Sequence, residues 1–226
     1  MKKGITSIFM LLCFGFVFSQ NNTIESNPGG TIVVALLGNN NTPREAEGSP
    51  YIKEDFSSTQ VNDYDVIYLV RYNAFNDLME FKDKDSKIFL LDKSKDYIIK
   101  FNDGSNKVYH TVNFEDNTRG YAKFLWANSD NNLTLYSKER VKFTEEKKAK
   151  SGYEEDIPAK YIRLKDFYYI KTSDGPLRQL STKKKNFFTA FKDKGKEVQQ
   201  YVKKGKLKIN KKEDIIKIIS FYDSLN

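Results

Sequence analysis

The sequence predicts a mainly β protein: a curved antiparallel meander or incomplete barrel of nine or ten strands, with two amphipathic helices after it. Three observations carry this. Aromatic residues make up 14% of the 226-residue chain and fall mostly in short alternating runs, the pattern of half-buried strands. Polar turn residues part those runs at short intervals. After about residue 180 the apolar period changes from two to that of a helix.

The first element is not part of that fold. Met1-Lys2-Lys3 is positively charged and Gly4 to Phe18 is almost wholly apolar, so residues 1–19 read as a cleavable secretory signal peptide, with Gln20 as the new terminus. The run is shorter than a membrane span, so no transmembrane helix is expected after cleavage. Leu12 is too large for the position before a lipidated Cys13. Removing the segment also removes the only cysteine, which leaves no thiolate, disulfide or Cys-ligated zinc. Residues 20–50 are rich in Asn, Gly and Pro and read as a flexible arm, in which Thr31 to Leu37 is either a strand or loosely docked.

Residues 51–180 form the β domain. Val66 to Tyr72 and Leu78 to Phe81 are paired as a hairpin, Asp83 to Asp85 turns the chain into Lys87 to Leu91, and Asp92 to Asp96 turns it into Tyr97 to Phe101. Asp103-Gly104 is the strongest turn signal, because both residues tolerate positive φ. Lys107 to Phe114, Tyr121 to Trp126, Leu133 to Phe143 and Tyr161 to Lys171 continue the series. So many strands curl rather than stay flat.

Residues 181–226 are the helical, basic segment, packed on the sheet. Phe187, Phe188, Phe191, Val198, Tyr201 and Val202 have helical spacing, with Gly205 as the stop. A second helix is expected from Asn210 as N-cap, with Glu213 closing a capping box and Ile215, Ile216, Ile218, Ile219 and Tyr222 as its apolar stripe. The segment holds 13 basic residues against 5 acidic, while residues 20–180 hold 23 against 25, so the chain's net +8 belongs to its end. Lys183, Lys184, Lys185, Lys203 and Lys204 are candidates for electrostatic contact with an envelope partner or an anionic surface. Export argues against nucleic acid.

Chemistry is sparse. His110 is the one histidine, and alternation puts it beside Val108, Val112 and Phe114, as a core histidine or a ligand contact. One histidine and no cysteine exclude the common zinc sites, and no Gly-x-Ser-x-Gly elbow accompanies it. Asp83/Asp85, Glu115/Asp116 and Glu154/Glu155/Asp156 fall where turns are expected, so a carboxylate hydrolase is the least favoured reading. Arg71 shares a strand face with Ile67 and Leu69. It is a candidate anchor for an acidic head group if that face lines a cavity, and otherwise an arginine reaching solvent or a turn carboxylate.

Gly48 to Phe56, Arg71 to Phe81 and the closing Lys206 to Ile216 with Phe221 to Leu225 resemble, in that order, a family of uncharacterised exported proteins of Bacteroidota. The resemblance implies compartment and lineage and carries no catalytic residue. The expectation is therefore a non-catalytic exported binding protein, with neither cofactor nor metal, whose concave sheet holds an apolar or amphiphilic ligand. The alternative is an interaction protein docking through the basic helices.

Overall fold

A computed structural model describes residues 22–26, 30–36, 43–149, 155–173 and 175–225, with side chains from residue 43 onward. The expected signal segment lies outside the described residues. The chain is mainly β, an antiparallel sheet curled into a half-barrel with helices at its C-terminal end.

The strands are β1 (Asn22–Ser26), β2 (Gly30–Leu36), β3 (Ser57–Val61), β4 (Ile67–Asn73), β5 (Leu78–Lys82), β6 (Ile88–Leu91), β7 (Ile98–Phe101), β8 (Val108–Asn113), β9 (Arg119–Ala127), β10 (Leu133–Thr144), β11 (Lys160–Thr172) and β12 (Arg178–Gln179). Their order in the sheet is β1-β2-β6-β5-β4-β3-β7-β8-β9-β10-β11-β12. The run read as an arm is thus a hairpin that extends the sheet, with Val34 opposite Leu91 and Leu36 opposite Phe89.

The order departs from a simple meander at two places, β2 pairing with β6 and β3 with β7. β7 pairs with β3 and not with β6, because the sequence between residues 57 and 61 forms a strand that alternation does not flag. Its inward residues are Ser57, Thr59 and Val61, all buried, and two are polar. The Thr59 hydroxyl meets its need locally by donating to the Ser57 carbonyl at 2.9 Å. Apolar periodicity cannot see such a strand.

Curling follows from one hydrogen bond. β6 and β9 are six places apart in the ladder, which on a flat sheet is about 29 Å. The Tyr121 hydroxyl on β9 nevertheless donates to the Leu91 carbonyl on β6 at 3.2 Å. The space enclosed is filled by the chain's own rings: Tyr72 lies 5.1 Å from Tyr109 and 6.3 Å from Tyr121, Phe101 5.6 Å from Tyr109, and Tyr68 5.4 Å from Phe81. Val61, Val70, Met79 and Ile99 complete this core.

Turn chemistry fixes the strand ends. In Asp92-Lys93-Ser94, Asp103-Gly104-Ser105 and Asp116-Asn117-Thr118 the aspartate accepts from both the amide and the hydroxyl of the residue two places on. Gly104 has φ +81°, a conformation that glycine adopts without strain. Of the carboxylates singled out in sequence, Asp116 is thus a structural acceptor at its turn.

The C-terminal segment is α1 (Lys184–Phe187), a 3₁₀ stretch over Phe188–Lys194, α2 (Gly195–Lys204) and α3 (Lys212–Asp223). The first expected helix is therefore broken, at Lys192 with φ 47° and ψ −129°. Phe187, Phe191, Val198, Val202, Ile215, Ile218 and Ile219 pack with Leu133, Leu135, Ile170 and Leu180 in a second core. The start of α3 differs from the expected capping box: its N-cap is Lys211, which makes no side-chain cap. The carboxylate of Asp214 instead accepts from the Lys208 amide at 2.9 Å, fixing the preceding turn and moving the helix start past Asn210.

Candidate functional site

Arg71 is committed inside the protein. On β4, Tyr68, Val70 and Tyr72 point into the ring core, while Ile67 and Leu69 are 56% and 41% exposed, so the face Arg71 shares with them is an outer one. Its guanidinium donates to Glu80 at 2.8 Å, to the Tyr51 hydroxyl at 2.8 Å and to the Glu54 carbonyl at 3.1 Å. It also lies over the Tyr51 ring, 3.8 Å from the centroid. Glu80 is fully buried, and Asn73 donates to its other oxygen at 3.3 Å. The charge of Arg71 is answered by Glu80, a buried carboxylate directly across the β4–β5 ladder and not a turn carboxylate. Arg71 still edges a recess of about 280 Å³, floored by Ile52, Tyr72, Phe101 and Tyr109.

Two further carboxylates, buried Glu139 and half-buried Asp77, neither flagged by sequence, tie the sheet together. Glu139 faces a bulge in which Lys165 and Asp166 oppose it across the β10–β11 ladder. It accepts from the Tyr109 hydroxyl and pairs with Lys123 at 2.9 Å, Lys107 at 3.3 Å and Arg163 at 3.5 Å. Burial by itself would raise its carboxyl, but Lys123, the Tyr109 hydroxyl and Lys107 together outweigh burial and hold it below the usual carboxylate value.

Asp77, in the β4–β5 turn at φ 55°, pairs with Lys138 and accepts from the Tyr72 hydroxyl at 2.8 Å and the Tyr121 amide at 3.3 Å. Gly120 admits that carboxylate, since a Cβ there would stand 2.1 Å from the Asp77 oxygen. Gly120→Ala is expected to destabilise by about 2 kcal/mol, because displaced Asp77 leaves buried donors without an acceptor. Urea denaturation checks it, and an unchanged midpoint would show that the turn can shift freely.

His110 sits on the other side of β8 from the ring core. Tyr109 and Thr111 face inward, while His110 and Val112 belong to a second layer with Phe114, Ala122, Phe124, Tyr136, Tyr169 and Leu177. The residues 175–177 fold back over the strand end, the Leu177 amide donating to the Asn113 carbonyl at 2.8 Å. Between them lies a cleft of about 590 Å³, lined by His110, Val112, Phe114, Arg119, Tyr136, Lys171 and Leu177 among others.

Within it His110 Nδ1 is 2.9 Å from the Tyr136 hydroxyl, and the imidazole stacks on Phe124 at 5.5 Å. Burial, with Lys171 and Lys100 nearby, lowers the imidazole to about 4, and burial lifts the Tyr136 phenol to about 12. Both groups are neutral at pH 7. Arg119 is held by Asp96, by the Lys93 carbonyl and by Asn113 Oδ1 at 2.9 Å. Lys171, by contrast, has no carboxylate partner among the described residues.

The depressed imidazole gives a pH expectation. The unfolded chain takes up this proton near the ordinary value of 6.5 and the folded chain only near 4, so stability falls as pH drops between those values. His110→Gln should flatten that part of the stability–pH curve; an unaltered slope would place the acid sensitivity elsewhere.

Three turn carboxylates are shifted away from the range of a general acid. Ser105 holds Asp103 below the carboxylate range, Thr118 does the same for Asp116, and Ser94 for Asp92. A general acid needs the opposite shift. Among the described residues no three His, Cys, Asp or Glu side chains gather as metal ligands, and no helix is long and apolar enough to cross a membrane.

The candidate lysines Lys183, Lys184, Lys185, Lys203 and Lys204 are all exposed and stand at helix ends, away from the His110 cleft. No protein-family model matches the chain, and no curated protein and no solved structure gives a match to it.

Proposed function

We propose that this chain is a non-catalytic, exported binding protein of the bacterial envelope, holding a small amphiphilic anion in the cleft beside His110. Lys171, which has no carboxylate partner among the described residues, carries the reading, because its ammonium stands at a cleft that also offers the apolar wall of Val112, Phe114 and Leu177. An amphiphile's head group would take Lys171 and the Tyr136 hydroxyl, and its short apolar body the wall. The ring-filled interior favours this outer cleft over the concave face as the seat of the ligand. Downward-held turn carboxylates, and a neutral histidine whose hydroxyl neighbour is the Tyr136 phenol kept un-ionised by burial, favour binding over turnover.

Titration of labelled protein with octanoate, followed by NMR, should move the signals of His110, Tyr136 and Lys171 together. Lys171→Ala should weaken binding about tenfold or more, the effect of losing a charge-assisted hydrogen bond. Octyl glucoside, which has no charge, should compete poorly. No movement with octanoate, or equal movement with the glucoside, would overturn the reading. Export rests on residues 1–19, and protein recovered from its own bacterium should begin at or next to Gln20 by intact mass. A mass that includes Met1 would remove the envelope from the proposal.

A further inference from the structure

The segment from Ser181 onward treats its charges differently from the rest of the protein. Among the described residues the ion pairs all fall between Arg44 and Asp166, and none includes any of the 13 basic residues after Leu180. All but Lys194 of those lysines are exposed. Their stems are not needed to build the second core, which is made by Phe187, Phe191, Val198, Val202, Ile215, Ile218 and Ile219.

Some of them also stand where a helix does not want them. Lys183 is the N-cap of α1 with Lys184 following, Lys194 is the N-cap of α2, and Lys211 is the N-cap of α3 with Lys212 following. None of the three caps its helix through its side chain. Positive charge at a helix N-terminus opposes the macrodipole, so these lysines work against the fold that carries them. Lys203 and Lys204, in the last turn of α2, suit its dipole, so the set does not follow one rule of helix design. What it shares is exposure and sign.

We propose that the C-terminal segment is a docking surface for an acidic polysaccharide. The large exposed apolar residues, Ile67, Leu69, Ile98 and Ile157, all belong to the β domain, so the segment offers no such side chain to insert into a bilayer. Its lysines come from both ends of α2, the α2–α3 connection and the start and middle of α3, a spread that suits a long hydrated chain bearing repeated carboxylates or sulfates and not a compact anion.

The test uses the full chain against polygalacturonate, with phosphatidylglycerol vesicles and duplex DNA as comparison probes. Binding to the polyuronate should be tightest of the three and should weaken about tenfold or more from about 50 to about 200 mM salt, as counterion release requires. Replacing Lys183, Lys184, Lys185, Lys203 and Lys204 by Gln should lower affinity about tenfold or more with octanoate binding at the His110 cleft unchanged. Replacing Lys211 and Lys212 by Gln should lower affinity and raise Tm, a pairing that a structural role would not produce. No binding to the polyuronate, tighter binding to vesicles or DNA, unaltered affinity in the five-lysine variant, or a lower Tm in the two-lysine variant would each overturn the assignment.

Discussion

Glu139→Ala is expected to cost about 3–5 kcal/mol, the range for removing one partner of a buried ion pair and leaving the other charges uncompensated. That is about a fifth or more of the stability of a domain in the usual range. The residue is 4% exposed and answers three cations, Lys107, Lys123 and Arg163, together with the Tyr109 hydroxyl. These partners come from β8, β9 and β11, so one carboxylate links four strands with its own. Asp166 also meets Lys123 at 3.5 Å and Arg163 at 2.7 Å, but Lys107 and the Tyr109 hydroxyl are bonded to Glu139 instead. Urea denaturation should show the loss, and a cost below about 1 kcal/mol would mean that Asp166 or water replaces the carboxylate.

Glu139→Gln separates charge from shape. The wild-type carboxyl is held below its unfolded value, so its contribution is present above the unfolded carboxylate value and is lost as pH falls through the folded one. The glutamine has nothing to lose over that window. The gap between wild type and Glu139→Gln should therefore narrow on acidification, and a gap that stays constant would rule out ionisation as its source.

The legible parts of this fold are those in which one physical signal dominates. Tyr68, Val70 and Tyr72 alternate with solvent-facing residues and mark β4 plainly, and Asp103-Gly104 marks its turn. The sheet order was not legible at β3, because Ser57 and Thr59 bury without an apolar pattern, the Thr59 hydroxyl donating to the Ser57 carbonyl and the Ser57 hydroxyl to the distant Asp103 carboxylate. Ile67 and Leu69 misled in the other sense: apolar on a second face suggested cover or a cavity, yet that face is open. The resolution of Arg71 needed its partner, and Glu80 stands nine residues away in sequence on the adjacent strand. For His110 the sequence located the apolar layer, but Lys171 and the fold-back of residues 175–177 are brought to it only by the β8-to-β11 pairing. A pattern that could have identified turn carboxylates is Asp-x-Ser/Thr, which recurs at Asp92, Asp103 and Asp116.

Phe191→Ala is the second large effect, at about 3–5 kcal/mol for truncating a buried phenylalanine. Its ring is 0% exposed and lies 5.4 Å from Phe187 and 5.0 Å from Tyr222, joining α1 to α3 at the residue before the kink at Lys192. The two cores meet along β10 and β11, whose Leu135 and Ile170 belong to the helical core and whose Val141 and Tyr161 belong to the ring core. Loss at Phe191 should therefore be felt first by the helices. Hydrogen exchange should quicken at Val202 and Ile218 while the amides of Val70 and Ile99 keep their protection, the behaviour of a separable cooperative unit. Equal quickening in both cores would instead make the protein one unit. Because His110, Tyr136 and Lys171 stand on β8, β10 and β11 outside the helical core, octanoate binding should survive the substitution, whereas polyuronate binding should fall as the basic segment loses its frame.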